Sequence, residues 1–291
     1  MDVSATLRQF SRNFTQHIGL LEDRFLGLSR PLGASRLLWE VGHDGGSATD
    51  LRTRLGLDSA YLSRLLRQLE QEGLVHTAPD AEDRRRRIVR LTQKGVAEWD
   101  ELEDRSDHLA QTLLAPLTDR QQQELAEALN TADQLIRAAT VEIDVNDPED
   151  AASTQALEAY FAELDERFDT GFDPGDTITA DADDYRQPNG LFLLARSGSE
   201  TVACGAVYVM EPGMAEIKRM WVDDKWRGLG LGRRMLETLE GKAGNLGCRV
   251  VRLDTNSALV EAIAMYTNAG YSSIERYNNN PFARCWFEKV L

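Results

Sequence analysis

The chain has 291 residues, is 42% hydrophobic and 28% charged, and carries a net charge of -15. At roughly 100–200 residues per domain this length predicts about two domains, and the composition excludes collagen-like, coiled-coil and disordered chains. The acidic balance excludes a surface that binds nucleic acid everywhere.

From the N-terminus, Leu7, Phe10, Phe14, Ile18, Leu21, Phe25 and Leu28 recur at spacings of three and four, predicting one helix over residues 5–28 with a single apolar stripe. Pro31 opens a helix through Leu37, Leu38 and Val41 that ends at Gly42 or Gly45. Ser47 is an N-cap for a short helix over residues 48–55 closed by Gly56; Asp58 or Ser59 then caps a second helix reaching residue 72. Leu62, Leu65, Leu66 and Leu69 face inward on that second helix. Its outer face offers Ser59, Tyr61, Ser63, Arg64, Arg67 and Gln68. Residues 74–77 and 88–91 read as a β-hairpin whose tip, from Asp80 to Arg87, begins acidic and ends densely basic. A second long apolar stripe follows in Leu109, Leu113, Leu117, Leu125, Leu129, Ala132 and Ile136.

The charge is not evenly spread. Residues 52–94 hold ten basic and six acidic side chains, a local +4 that leaves -19 for the remainder. A basic patch on an acidic body suits a local phosphate contact, although charge alone also fits a solvated, solubilising turn.

Two helices joined by a Gly-Leu-Asp turn and followed by a basic hairpin form a winged helix-turn-helix, whose second helix can enter the major groove. The stretch Ser59-Ala60-Tyr61-Leu62-Ser63-Arg64-Leu65-Leu66, with Leu69-Glu70 and Glu72-Gly73-Leu74-Val75, resembles the recognition helix of MarR-type regulators. Asp83-Arg84-Arg85, Val89-Arg90-Leu91-Thr92 and Gly95 are similar to their wing. The likeness covers about residues 5–140. It implies a double-stranded DNA operator as partner, contacted by Ser59, Ser63, Arg64 and Arg67 and by Arg84, Arg85, Arg86 and Arg87. It further implies that Asp83 pins the wing through an arginine, that Arg85 reaches the minor groove, and that the long flanking helices form a homodimer interface.

The pattern changes near residue 140. Residues 141–145 alternate as a strand, 156–168 read as a helix, and 191–195, 202–209 and 216–222 read as successive strands. A helix at 231–246, a strand at 250–254, a helix at 259–269 and strands at 271–275 and 282–290 complete the run; residues 169–190 are Asp-rich loop. The expected fold is therefore two domains: a mostly-α winged helix-turn-helix over 1–140, and an α/β mixed sheet flanked by helices over 141–291.

One motif dominates the second half: Arg227-Gly228-Leu229-Gly230-Leu231-Gly232, placed after a strand and opening a helix. A glycine turn into a helix N-terminus is an anion site, because backbone N–H groups point outward and the helix dipole favours phosphate. A Gly-Lys-Ser/Thr loop is absent, and a dinucleotide fingerprint counted from Gly228 would end on Arg233 instead of glycine. The remaining pattern, Arg-x-x-Gly-x-Gly, resembles the acetyl-CoA loop of GNAT-type N-acetyltransferases. Ile217-Lys218-Arg219-Met220-Trp221-Val222 is similar to that family's central strand, as are Ala262, Met265-Tyr266, Ala269 and Gly270-Tyr271 to the element that follows. The resemblance spans about residues 141–291.

It implies acetyl-CoA as cosubstrate and a small amine or amino acid as acceptor. The loop from Arg227 to Gly232 would hold the diphosphate. Trp221 and Val222 would bind the pantetheine arm and polarise the thioester carbonyl. Tyr266 would protonate the leaving sulfur, with helix packing as its competing role. Glu216 would be the general base; a salt bridge to Lys218 or Arg219, or a water chain in its stead, stays open. Asn256 would orient cofactor or water, or serve only as a turn residue. Residues 277–282 would line the acceptor pocket, and the acidic half favours encounter with a cationic acceptor. His17, His43, His76 and His108 fall at no ligand spacing, so no metal is expected. Three widely spaced cysteines without a Cys-x-x-Cys pair fit a reducing compartment. No apolar run approaches 18 residues, so a soluble, cytoplasmic protein without a membrane partner is expected. A fused regulator and enzyme, a regulator whose second half only senses its ligand, and an enzyme whose first half serves mainly for dimerisation all satisfy these residues.

Overall fold

Two short helices begin where their caps predict. Ser47 accepts from Asp50 N at 3.1 Å and starts the helix Ala48–Leu55 (α3); Asp58 accepts from Tyr61 N at 2.9 Å and starts Ser59–Gln71 (α4). In the computed structural model, residues 2–19, 25–28, 30–80, 83–169, 171–173, 182–198 and 200–291 are described. They divide into two units, Met1–Glu127 and Ala128–Leu291.

In the first unit, Val3–His17 (α1) precedes Leu32–Val41 (α2), and the long helix Gln93–Leu114 (α5) follows the winged core. The helix expected over residues 5–28 stops at His17. Gly19 takes φ 67°, Leu21 lies outside the described residues, and Phe25–Gly27 form only a 3-10 turn. The apolar stripe survives on α1, which buries nothing: Leu7, Phe10 and Phe14 are all exposed. Strands Val75–Pro79 (β2) and Arg87–Leu91 (β3) make the hairpin, and Gly46–Ser47 (β1) adds two residues to β3, an edge too short to leave a periodic signal. Leu37, Leu38, Leu51, Leu62, Leu65, Leu69 and Leu74 fill the core beneath α4. Arg30, 5% exposed, is held between Glu72 at 3.1 Å and Glu98 at 2.7 Å, tying the end of α4 to α5. The second stripe is divided: Leu109 and Leu113 lie on α5, whereas Leu125, Leu129 and Ile136, all exposed, lie on the helix Asp119–Thr140 (α6), which begins in the first unit and ends in the second.

The second unit is a seven-stranded mixed sheet flanked by helices. Its strands are Glu142–Asn146 (β4), Gly190–Ser197 (β5), Glu200–Glu211 (β6), Met214–Val222 (β7), Val250–Thr255 (β8), Ser272–Ser273 (β9) and Cys285–Val290 (β10), in the order β4-β5-β6-β7-β8-β10-β9. Alternation decides which helix covers which face. Leu193, Ala203, Val207 and Ile217 pack under Leu231–Asn245 (α8), whereas Phe192, Leu194, Cys204 and Ala206 meet Ala156 of Ala151–Arg167 (α7). Val260–Asn268 (α9) adds Tyr266 to the α8 side.

Two irregularities in β7 prepare the site. It pairs with β8 in parallel only from Met214↔Val250 to Glu216↔Arg252, yet runs on to Val222. Against β6, Lys218 faces Ala206 while Trp221 faces Cys204, so β7 carries one extra residue. That bulge centres on Arg219, whose φ of 56° is left-handed. Such backbone costs a non-glycine residue roughly 1–2 kcal/mol, and bulges of this kind re-aim side chains. No helix among the described residues is long and apolar enough to cross a membrane.

Candidate functional site

Past Glu216 the two parallel strands no longer share a ladder, and a cavity of about 480 Å³ lies there. Trp221, Val222, Arg227, Gly228, Gly230 and Gly232 line it, with Met265 and Tyr266 from α9. Gly228 at φ 76° and Gly230 at φ 81° turn the chain into α8, and no side chain caps that helix. The first-turn N–H groups have no intrahelical partner, so this entrance offers donors to an anion. Gly232 is bare for a packing reason: a Cβ there would stand 3.2 Å from Met265 Sδ. Leu229 and Leu231, also expected at this site, turn into the core and do not line the cavity.

Arg227 donates to Val222 O at 3.0 and 2.8 Å, fastening the loop to the end of β7, and pairs with Glu163 of α7. Glu163 also accepts from Trp221 Nε1 at 2.9 Å and pairs with Arg167 at 3.2 Å. Glu163 and Arg167 carry no motif in the sequence, because they reach this cavity from a helix more than fifty residues before the glycine loop.

A smaller cavity of about 90 Å³ adjoins this one; Tyr160, Leu164, Met220, Leu259, Ala262 and Tyr266 line both. Tyr266 therefore stands at the junction. Its ring packs 5.9 Å from Tyr271 and 6.1 Å from Phe287, and its hydroxyl faces Met220 Sδ at 4.0 Å. Burial, with Asp254 nearby, pushes its phenol above the ordinary value, so it keeps its proton. Asn256 lines the smaller cavity and not the larger one. Its amide donates to Phe282 O at 2.7 Å and accepts from Ala258 N at 2.9 Å, the bonding of a turn residue. Cys204 is buried and its thiol is pushed up to about 12 by desolvation, which keeps it protonated.

Glu216 is 1% exposed and lines neither cavity. It accepts from Tyr277 Oη at 2.6 Å, from Asn278 Nδ2 at 3.1 Å and from the Tyr208 hydroxyl, and pairs with Lys218 Nζ at 2.9 Å. Lys218 continues to Asp254 at 2.8 Å, and Asn278 donates to that same carboxylate at 2.5 Å. Burial works against the Lys218 ammonium, but Glu216 and Asp254 outweigh it and hold its pKa above the ordinary value. Desolvation and the Glu216 charge push the Tyr208 and Tyr277 phenols up. Tyr277 and Asn278 thus belong to this network beneath the pocket, while Asn280 and Phe282 reach its wall.

In the first unit, Ser59, Ser63 and Arg67 of α4 share a groove with Arg52 of α3 and Arg87 of the hairpin. Ser63 Oγ donates to Ser59 O at 2.7 Å, and Arg64 lies 5.4 Å over the Tyr61 ring, outside the groove. Arg84 and Arg85 are exposed at the hairpin, and Arg86 pairs with Asp50 at 3.4 Å. Asp83 holds the turn through the Arg85 backbone N–H at 3.0 Å, and among the described residues no arginine side chain pairs with it. Arg52 carries no signal of its own in the sequence, because a short helix with Arg52 and Arg54 does not show which of them faces the groove.

Comparison with known proteins identifies both halves. The model of the GNAT acetyltransferase family matches residues 156–271, and that of the MarR family matches residues 26–86. The HTH-type transcriptional regulator YdgJ of Bacillus subtilis, itself uncharacterized, is 30% identical over 113 residues, 38% of this chain and 68% of that protein. The chain belongs to the MarR family in its first half and to the GNAT family in its second. Within the GNAT half, an IAA acetyltransferase from Azospirillum brasilense is 37% identical over 87 residues, 30% of this chain; the match spans 57% of that relative's length. A GNAT family acetyltransferase from Elizabethkingia anophelis, solved with acetyl-CoA bound, is 17% identical, covering 52% of this chain and 98% of that one at a TM-score of 0.34.

Proposed function

We propose that the chain is a bifunctional protein: a DNA-binding transcriptional regulator over residues 1–140, and over 141–291 an acetyl-CoA-dependent N-acetyltransferase for a small amine or amino acid. One observation carries the enzymatic reading: two cavities meet at Tyr266, the larger entered past an uncapped glycine turn. The residues fit a diphosphate carrier. Gly228, Gly230 and the first-turn N–H groups of α8 would hold the diphosphate, Arg167 and Arg233 would add positive charge, and Trp221 and Val222 would flank the pantetheine arm. When bound, acetyl-CoA supplies an acetyl thioester, and its acyl group passes to the acceptor nitrogen. Tyr266, protonated and at the junction, holds the proton the departing thiolate needs. Glu216 acts by positioning: it fixes Lys218 and Tyr277, and the acceptor ammonium loses its proton to water at the mouth of the smaller cavity.

The saturation of Glu216 also favours a second reading, in which the GNAT half binds acetyl-CoA or an amine as a sensor without turnover. Release of coenzyme A from acetyl-CoA across a panel of amines separates the two. Turnover supports the enzyme; acetyl-CoA binding with no turnover on any amine supports the sensor.

For the MarR half we propose a double-stranded operator bound by the groove of Ser59, Ser63, Arg67, Arg52 and Arg87, with Arg64 and Arg84–Arg86 on neighbouring phosphates or bases. The exposed stripes of α1 and α6 fit a homodimer interface. Binding to the protein's own upstream DNA at two salt concentrations, and sedimentation of a Phe10→Glu variant, test these two statements.

A further inference from the structure

The acceptor pocket carries, among the described residues, a cation with no counter-charge. Lys218 and Arg219 are adjacent in β7, and in a regular strand they would face opposite sides of the sheet. The bulge at Arg219 turns both toward the smaller cavity. Lys218 is neutralised there by Glu216 and Asp254. Arg219 forms no ion pair among the described residues; its guanidinium lies 5.1 Å over the Phe161 ring and neighbours the Tyr185 hydroxyl. A guanidinium presents a planar fork of donors that matches a carboxylate. It is held by strained backbone one residue from Met220, which faces Tyr266 where the two cavities join.

The surroundings of the guanidinium are aromatic. Phe172 stacks at 5.6 Å on Phe161 and lies 4.9 Å from Phe282, which is 6.1 Å from Phe168. Phe161, Phe172 and Phe282 are only partly buried, so their rings are accessible. A cavity of about 90 Å³ holds an amine, its α-carbon and a carboxylate, and leaves a side chain to lie against these rings.

We infer that the acceptor is an α-amino acid with an aromatic or bulky apolar side chain, its carboxylate bound by Arg219 and its side chain packed on the phenylalanines at the pocket mouth. This deepens the acetyltransferase reading and rests on it. The closeness of Arg219 to the junction favours an amine α to the carboxylate over one on a long arm. The same guanidinium, beside a fully paired Lys218, disfavours polyamines despite the acidic surface of the domain.

The test compares matched pairs: phenylalanine, tyrosine, tryptophan and leucine, each against the amine left by removing its carboxylate. Coenzyme A release is measured on the full-length protein, with rates corrected for the free-amine fraction. We expect at least one amino acid to exceed its decarboxylated partner by about 10- to 100-fold in kcat/KM, the range of a charge-assisted hydrogen-bonded pair. Alanine should fall below the preferred amino acid for want of a ring contact. In Arg219→Gln the preference within each pair should collapse toward one, mainly through KM, and Arg219→Lys should recover part of it. Acetyl-CoA affinity of both variants reports that they are folded. Equal or better turnover of the decarboxylated amines by the wild type overturns the inference while leaving the acetyltransferase reading intact. Should no amine be turned over, the same pairs are titrated calorimetrically into protein loaded with coenzyme A. Amino-acid binding that Arg219→Gln abolishes then supports the carboxylate site, and equal or absent binding of both members overturns it.

Discussion

Replacing Glu216 with glutamine separates a positioning carboxylate from a catalytic one. The side chain is almost the same size, but one oxygen becomes an NH₂ group amid donors from Tyr208, Tyr277, Asn278 and Lys218. Hydrogen bonds to a charged acceptor contribute about 1.5–3 kcal/mol and neutral ones about 0.5–1.5, so neutralising the acceptor forfeits roughly 1 kcal/mol per donor. Removing one member of a buried ion pair costs about 3–5 kcal/mol; here Lys218 keeps Asp254 at 2.8 Å, and part of that cost is spared. The three neutral donors account for about 3 kcal/mol and the Lys218 pair for a further part, so the expected loss is about 3–5 kcal/mol, which in a unit of this size lowers Tm by roughly 6–20 °C. Urea unfolding and the pH profile of acetyl transfer are measured on the same preparation. The network account predicts a large stability loss, with residual activity within about tenfold of wild type and an unchanged profile. A variant of wild-type stability whose kcat falls about 10²–10⁴-fold, with loss of the acidic limb, would show Glu216 to be the base and refute this reasoning.

Further outcomes follow from the same geometry. Tyr266→Phe removes only the hydroxyl at the cavity junction and should lower kcat by about 10²–10³-fold while leaving acetyl-CoA affinity within about threefold; unaltered turnover across pH excludes the phenol as proton donor. Changing Arg84, Arg85, Arg86 and Arg87 together to alanine should weaken operator binding and reduce the salt slope by about 0.9 for each DNA phosphate that is no longer neutralised; an unchanged slope removes the hairpin from the interface. Burial raises the phenols of Tyr208, Tyr266 and Tyr277, and the folded state holds those protons at pH values where the unfolded chain releases them. Their contribution is complete below about pH 10 and is lost as pH rises beyond it. The urea midpoint should therefore fall as the pH is raised past about 10 and recover in part in Tyr208→Phe.

Local signals were legible because they are written in neighbouring residues. Ser47, Asp58 and Gly56 mark helix ends with their own side chains or lack of one, and the Arg-x-x-Gly-x-Gly loop needs no distant partner to be recognised. Apolar periodicity gave the stripes of α1 and α6 but overran the first helix, since Phe25 and Leu28 keep the spacing after the backbone has left it. What stayed hidden depends on partners far apart in the chain. Glu216 meets Tyr277 only because β8 alone separates β7 from β10 in the sheet, and Glu163 meets Arg227 although β5, β6 and β7 intervene in the chain. The bulge at Arg219 follows from the mismatch of β6 with β7, which the side-chain pattern of β7 alone does not reveal.

The proposed acetyl transfer requires that the glycine turn before α8 receive the diphosphate of acetyl-CoA. Calorimetric titration of acetyl-CoA and of coenzyme A into the wild type and into Gly230→Ala tests this most directly, since a Cβ at φ 81° strains the turn without crowding any neighbour. Saturable one-to-one binding of both ligands by the wild type, weakened in the variant by about five- to thirtyfold, is the predicted result, the equivalent of roughly 1–2 kcal/mol of left-handed strain. Wild-type protein that binds neither ligand, or a variant that binds both as tightly, would contradict the account.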